Sequence, residues 1–160
     1  MEIKLVPDSF NVPEKLETAH FSARKLSAKD VYDDYLAIMS NMDLIKKTRG
    51  GTDWPTPNFS FEDDFIDLCW HQREFENKSS FAYLVTNPEG TEYVGCFYFY
   101  KPGFRTEVPI GTDVDISFWV TQKAYDAGLY KELYITLKKW LNEKWLFKKP
   151  YWSNLEIPSV

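Results

Sequence analysis

Cysteine and histidine are scarce in this chain, with two of each among 160 residues. Cys69 and Cys96 cannot make a disulfide framework, and neither stands in a CxxC or Cys/His spacing. Positive charge is also in deficit. Lys plus Arg number 19 against 24 Asp plus Glu, giving a formal charge of −5. A nucleic-acid partner is therefore not expected, because phosphate binding calls for a basic face. No stretch approaches the ~18 consecutive apolar residues of a membrane span. The first ten residues lack the apolar core of a signal peptide. These absences predict a cytoplasmic protein without a membrane partner. No HExxH, EF-hand, Walker A or GxSxG pattern is present, so no metal site and no standard nucleophile elbow is expected.

Aromatic residues are abundant: 12 Phe, 10 Tyr and 6 Trp, or 18 % of the chain. Each buried ring removes ~150–250 Å² from water, so a chain of this length can build a substantial core. One domain is expected, with residues 1–12 as an N-terminal arm and 13–160 as the folded unit.

Periodicity places the elements. Loose alternation from Leu16 to Leu26 reads as a strand, and Ser27 with Asp30 as a helix cap leading to about Asn41. Residues 46–58 show little periodicity and carry Arg49, Gly50, Gly51, Trp54, Pro55 and Pro57, as an ordered loop would. Ser60 caps a second helix with Phe61, Phe65, Leu68, Cys69 and Phe75 as its buried stripe. Phe81–Thr86 and Tyr93–Tyr100 form a hairpin across the turn at 87–90. Gly95 marks a bulge or close approach. Asp113–Val120 is the next strand. A long helix follows, with Leu129, Leu133, Leu137, Trp140 and Leu141 on one side. Pro150 ends it before a last strand at 151–157. Both cysteines read as small core residues.

Local chemistry offers few catalytic groups. His20 and His71 lie in different elements, and His71 reads more simply as a structural imidazole. Glu62, Asp63 and Asp64 read as charge compensation at a helix N-terminus. The turn into the long helix is an anion-pocket candidate, because first-turn N–H groups are unpaired and Gly128 admits close approach. Asp126 is the expected cap in the plainer alternative.

Three segments carry a resemblance. PEKLETAHFSARKLSAKD at 13–30, EYVGCFYFY at 92–100 and DISFWV at 115–120 are similar, in order and spacing, to strands of the GNAT superfamily of acyl-CoA-dependent N-acetyltransferases. The resemblance spans residues 13–157. It implies an α/β fold: a GNAT-like mixed, mostly antiparallel sheet flanked by helices, with a shortened C-terminus. It also implies acetyl-CoA as co-substrate and a small-molecule or peptide amine as acceptor, with a homodimer left open.

On that resemblance, Phe118, Trp119 and Val120 offer backbone to the pantetheine arm. Tyr125, Ala127, Gly128, Leu129, Tyr130 and Lys131 form the loop around the pyrophosphate. Gly128 matches the family loop; Tyr125 replaces Arg or Gln, Asp126 stands where glycine is common, and Tyr130 replaces a small residue. Asp115 is the implied base, and Tyr134 or Tyr151 a candidate acid. Trp54 is a candidate acceptor contact through cation–π attraction. The alternative is a non-catalytic ligand-binding or protein-interaction module whose cofactor loop is closed by Tyr125 and Tyr130.

Overall fold

Twenty-eight rings need two apolar layers, and the sheet supplies a face for each. The computed structural model describes residues 3–160. Its strands are β1 (Lys15–Glu17), β2 (Ser22–Lys25), β3 (Phe81–Thr86), β4 (Tyr93–Tyr100), β5 (Val114–Val120) and β6 (Pro150–Trp152). They form one sheet in the order β1-β2-β3-β4-β5-β6, antiparallel throughout except for the parallel pair β5–β6. The helices are α1 (Val31–Ser40), α2 (Met42–Thr48), α3 (Phe61–Glu76), α4 (Gln122–Asp126) and α5 (Leu129–Lys144). This is the mixed, helix-flanked sheet expected from the sequence. Among the described residues, no helix is long and apolar enough to cross a membrane.

Side chains alternate across β4 and β5 and so divide the core. Phe97, Phe99, Val114, Ile116, Phe118 and Val120 pack against Leu133, Leu137, Trp140 and Leu141 of α5. Cys96, Tyr98, Tyr100 and Trp119 face the opposite way, toward Ile38, Ile45 and Leu68. Gly95 is a true close-approach point: a Cβ there would sit 2.0 Å from the Trp119 carbonyl oxygen. The β3–β4 register slips beside it, between Val85 and Thr86.

Several boundaries differ from expectation for identifiable reasons. The strand expected over 16–26 is a hairpin, because the Thr18 hydroxyl accepts from the N–H groups of His20 and Phe21 and turns the chain. The start of the irregular 46–58 segment belongs to α2. Residues 122–126 form a helix of their own, capped by the Thr121 hydroxyl. Asp126 is therefore no cap; it accepts from the Gln122 amide, while Gly128 enters α5 at φ 82°. The last strand holds three residues, not seven.

The buried stripe of α3 is rotated. Phe61 and Phe65 are 46 % and 44 % exposed, and Cys69 is exposed. The face turned inward carries Asp64, Leu68, His71 and Phe75, at the 4-3-4 spacing of one helix side. Two polar residues on that face hide it from a hydrophobicity pattern. Residues 5–10 lie along the end of α3, where Leu5 N–H donates to the Lys78 carbonyl at 2.8 Å and the Lys78 ammonium donates to the Asp8 and Phe10 carbonyls. Met1 and Glu2 of the expected arm lie outside the described residues.

Candidate active site

β5 and β6 run side by side from Val114 to Ile116 against Pro150 to Trp152, then diverge. Ser153 N–H still donates to the Ile116 carbonyl at 2.9 Å. Beyond it, Asn154 bridges the gap with its side chain. Its Oδ1 accepts from Phe118 N–H and its Nδ2 donates to the Phe118 carbonyl, each at 2.9 Å. The chain then crosses to α2, where Leu155 and Glu156 N–H groups donate to the Arg49 and Thr48 carbonyls at 3.1 and 2.9 Å. Tyr130 fastens this segment, donating to the Glu156 carbonyl at 2.5 Å while accepting from Asn154 at 2.7 Å. Tyr125 donates to the Glu156 carboxylate at 2.7 Å.

Of the six residues expected around a pyrophosphate, Ala127 and Leu129 do not line the cavity at the start of α5, and the other four do. Tyr125, Gly128, Tyr130 and Lys131 line an open cavity of about 420 Å³ with Glu156, Ile157, Pro158 and Ser159. A Cβ on Gly128 would meet nothing within 4 Å. Lys47 stands 5.9 Å over the Tyr125 ring. Phe118 and Val120 point to the α5 side of the sheet, whereas Trp119 points away and donates from Nε1 to the Tyr98 hydroxyl at 2.8 Å.

A second cavity, of about 330 Å³, opens on that other face between α3, β4 and the loop from 49 to 54. Trp54 lines it, with Asp67, His71, Glu74, Tyr98 and Tyr100. Arg49 reaches beneath them. Its Nε donates to the Ser117 hydroxyl at 3.0 Å, and its guanidinium lies 4.2 Å over the Tyr98 ring and 5.3 Å from that of Trp54. His71 packs on Tyr98 and Tyr100 at 5.7 and 6.3 Å. Burial and the Arg49 charge lower its pKa to about 4, so the imidazole is neutral at pH 7. Asp67 is pushed up to about 6 by burial and by the neighbouring carboxylates Asp63, Asp34 and Glu74.

Asp115 and Tyr134 are not brought together. Asp115 shares a face with Ser117, is fully buried, and has no hydrogen bond of good geometry at either oxygen. Burial raises its pKa, opposed by Ser153 and by the charges of Arg105 and Arg49. Tyr134 sits on the opposite face, 4.9 Å from the Trp152 ring.

Sequence reading passes over Asn154, Arg105 and the Asp67–Glu74 wall of α3, and it takes Asp64 for helix charge compensation where the residue is one of a buried pair of acids. Asp34 and Asp64 meet between α1 and α3, each 2 % exposed. Asp34 also accepts from the Tyr93 hydroxyl and from Cys96 at 3.6 Å. Burial and the facing Asp34 carboxylate push Asp64 up to about 9, so this acid keeps its proton at neutral pH. An acid interrupting the apolar side of each helix, at Asp34 and at Asp64, is the signal that marks the pair.

The fold is that of the GNAT acetyltransferases. No protein-family model matches the sequence, and no curated protein matches it. Solved structures do. The microcin self-immunity acetyltransferase MccE, in complex with acetyl-CoA and AMP, aligns with a TM-score of 0.65 and 13 % identity, over 88 % of this chain and 73 % of that one. RimL, a ribosomal α-N-protein acetyltransferase in complex with coenzyme A, gives 0.62 and 14 %, over 81 % and 69 %. The ribosomal-protein-alanine acetyltransferase of Vibrio fischeri gives 0.59 and 13 %, over 80 % and 67 %.

Proposed function

We propose that this domain transfers an acetyl group from acetyl-CoA to an amine. The observation that carries the reading is the divergence of β5 and β6. It leaves the edge of Phe118 to be satisfied by a side-chain amide, beside the free end of a 16-residue helix. Secondary amides are what a pantetheine arm carries, so a strand edge that binds the Asn154 amide fits that arm. The N-terminus of α5, with the unobstructed Gly128 and the lysines Lys131 and Lys47, fits a pyrophosphate. Asn154 must release Phe118 for the arm to bind.

The acceptor belongs in the cavity across the sheet. Transfer joins the amine nitrogen to the thioester carbonyl carbon and breaks the carbon–sulfur bond. Of the two protons the ammonium gives up, one reaches the departing thiolate and one leaves through a base. Asp67, with a pKa near 6, suits that second role at neutral pH. Asp115 suits that role less well, because it is fully buried and no water reaches it.

A second reading has its own observation. The Tyr130 and Tyr125 bonds to Glu156 seal the gap and bring a carboxylate to the start of α5. A binding module without catalysis would keep that seal closed. Release of free thiol from acetyl-CoA in the presence of a mixed amine set tests the two. Amine-dependent release supports transfer, and none with any amine supports the module.

A further inference from the structure

Arg49 is 6 % exposed, yet the ion pairs among the described residues all lie elsewhere. Its Nε is given to a neutral hydroxyl. Arg105, beside it, donates to the carbonyls of Gly50 and Ser153 and to the Ser153 hydroxyl, and its buried Nε has no partner. Burial and the nearby Arg49 lower the Arg105 pKa to about 10. A buried guanidinium without an anion is costly, and the half-buried Arg105 adds a second positive charge in the same region. Asp115 is the carboxylate that acts on both, and it reaches neither within ion-pair distance. Among the described residues, the floor of the cavity therefore has no anion within ion-pair distance.

The opposite wall has no paired cation among the described residues. Asp67 and Glu74 stand one helical turn on either side of His71, line the cavity, and are ion-paired with nothing among the described residues. Trp70, Tyr100 and Phe104 line the same space. A simple organic cation is a poorer match than its acidic wall suggests. The Trp54 and Tyr98 rings that would hold one already carry the Arg49 guanidinium. At about 330 Å³ the space lies at the small end of ligand cavities.

We propose that the cavity binds a free α-amino acid with an aromatic side chain, its carboxylate on Arg49 and its ammonium on Asp67 and Glu74. The proposal rests on the acetyl-transfer reading only in naming this amino acid as the acceptor. Binding itself needs no acetyl-CoA.

The test is calorimetry at pH 7.5 on the full chain, without acetyl-CoA, using three probes: phenylalanine, phenethylamine (no carboxylate) and 3-phenylpropionate (no amine). Phenylalanine is expected to bind at least tenfold more tightly than either. Arg49→Gln should abolish its advantage over phenethylamine. Asp67→Asn with Glu74→Gln should abolish its advantage over phenylpropionate while leaving phenylpropionate unchanged. The second variant alters a half-exposed wall, so it carries the test if Arg49→Gln fails to fold. Phenethylamine matching phenylalanine, or no binding of phenylalanine at millimolar concentration, overturns the assignment. Acetyl-CoA binding without phenylalanine binding overturns this inference alone; the reverse leaves the pocket standing and overturns transfer.

Discussion

The side-chain amide of Asn154 holds both backbone groups of Phe118, accepting from its N–H and donating to its carbonyl at 2.9 Å each. Both Asn154 and Phe118 are buried, so neither backbone group has water to fall back on. Asn154→Ala orphans a donor and an acceptor at once, at a cost of about 1–3 kcal/mol for each buried group left unpaired. If the same edge seats a pantetheine amide, acetyl-CoA replaces what the mutation removes. The rise in Tm on adding acetyl-CoA should then be larger in Asn154→Ala than in the parent chain. An equal or smaller rise would detach Phe118 from ligand binding.

Gly95→Ala tests the tightest contact in the sheet. The added methyl would lie 2.0 Å from a backbone oxygen of β5, which has no rotamer to change. Overpacking of this kind costs about 1–3 kcal/mol, so a drop of several degrees in Tm is expected. An unchanged Tm would show that β4 and β5 separate more easily than their register suggests.

The buried acids give stability a definite slope with pH. Asp64 titrates near 9 when folded against 3.8 when free, so between those values the folded chain holds a proton that the unfolded chain has lost. Stability therefore falls as pH rises through that interval. His71 acts in the opposite sense, its pKa of about 4 against 6.5 making stability rise with pH between those two values. Asp67, raised to about 6, adds a fall that ends there. From pH 6.5 to 9 the Asp64 proton dominates, with a limiting slope of ~1.4 kcal/mol per pH unit. Urea unfolding at pH 6.5 and 8.5 should show lower stability at 8.5, and Asp64→Asn should flatten the difference. A flat profile in the unmodified chain would mean that Asp34 and Asp64 share no proton.

The two thiols should separate cleanly. Cys69 is exposed and Cys96 is buried beneath Tyr93 and Asp34, and burial with the Asp34 charge raises the Cys96 pKa well above its ordinary value. A disulfide reagent should titrate one thiol in the native chain and two in denaturant. Two fast thiols in the native chain would contradict the packing of α1 against β4.

What the sequence made legible is what repeats. The α5 stripe of Leu133, Leu137, Trp140 and Leu141, the three central strands and the Gly95 approach all follow from periodicity and residue size. The β1–β2 turn was hidden because its device is one threonine hydroxyl rather than Gly or Pro. The α3 face was misjudged because Asp64 is inward for its proton and His71 for its ring. Arg49 and Asn154 were illegible for a related reason. A charged or amide side chain reads as surface until its partners, far away in sequence at Ser117 and Phe118, are known. Tyr125, Gly128, Tyr130 and Lys131 share one cavity at the start of α5, whereas Asp115 and Tyr134 stand on opposite faces of the sheet.

Titrating acetyl-CoA into the full chain by calorimetry asks whether the cleft between β5 and β6 opens to a cofactor. Saturable binding of one equivalent is expected at sub-millimolar concentration, weakened when Lys131→Glu places a carboxylate at the start of α5. No heat of binding at millimolar acetyl-CoA would contradict it, and the strap of Asn154, Tyr130 and Glu156 would then be the permanent filling of the cleft.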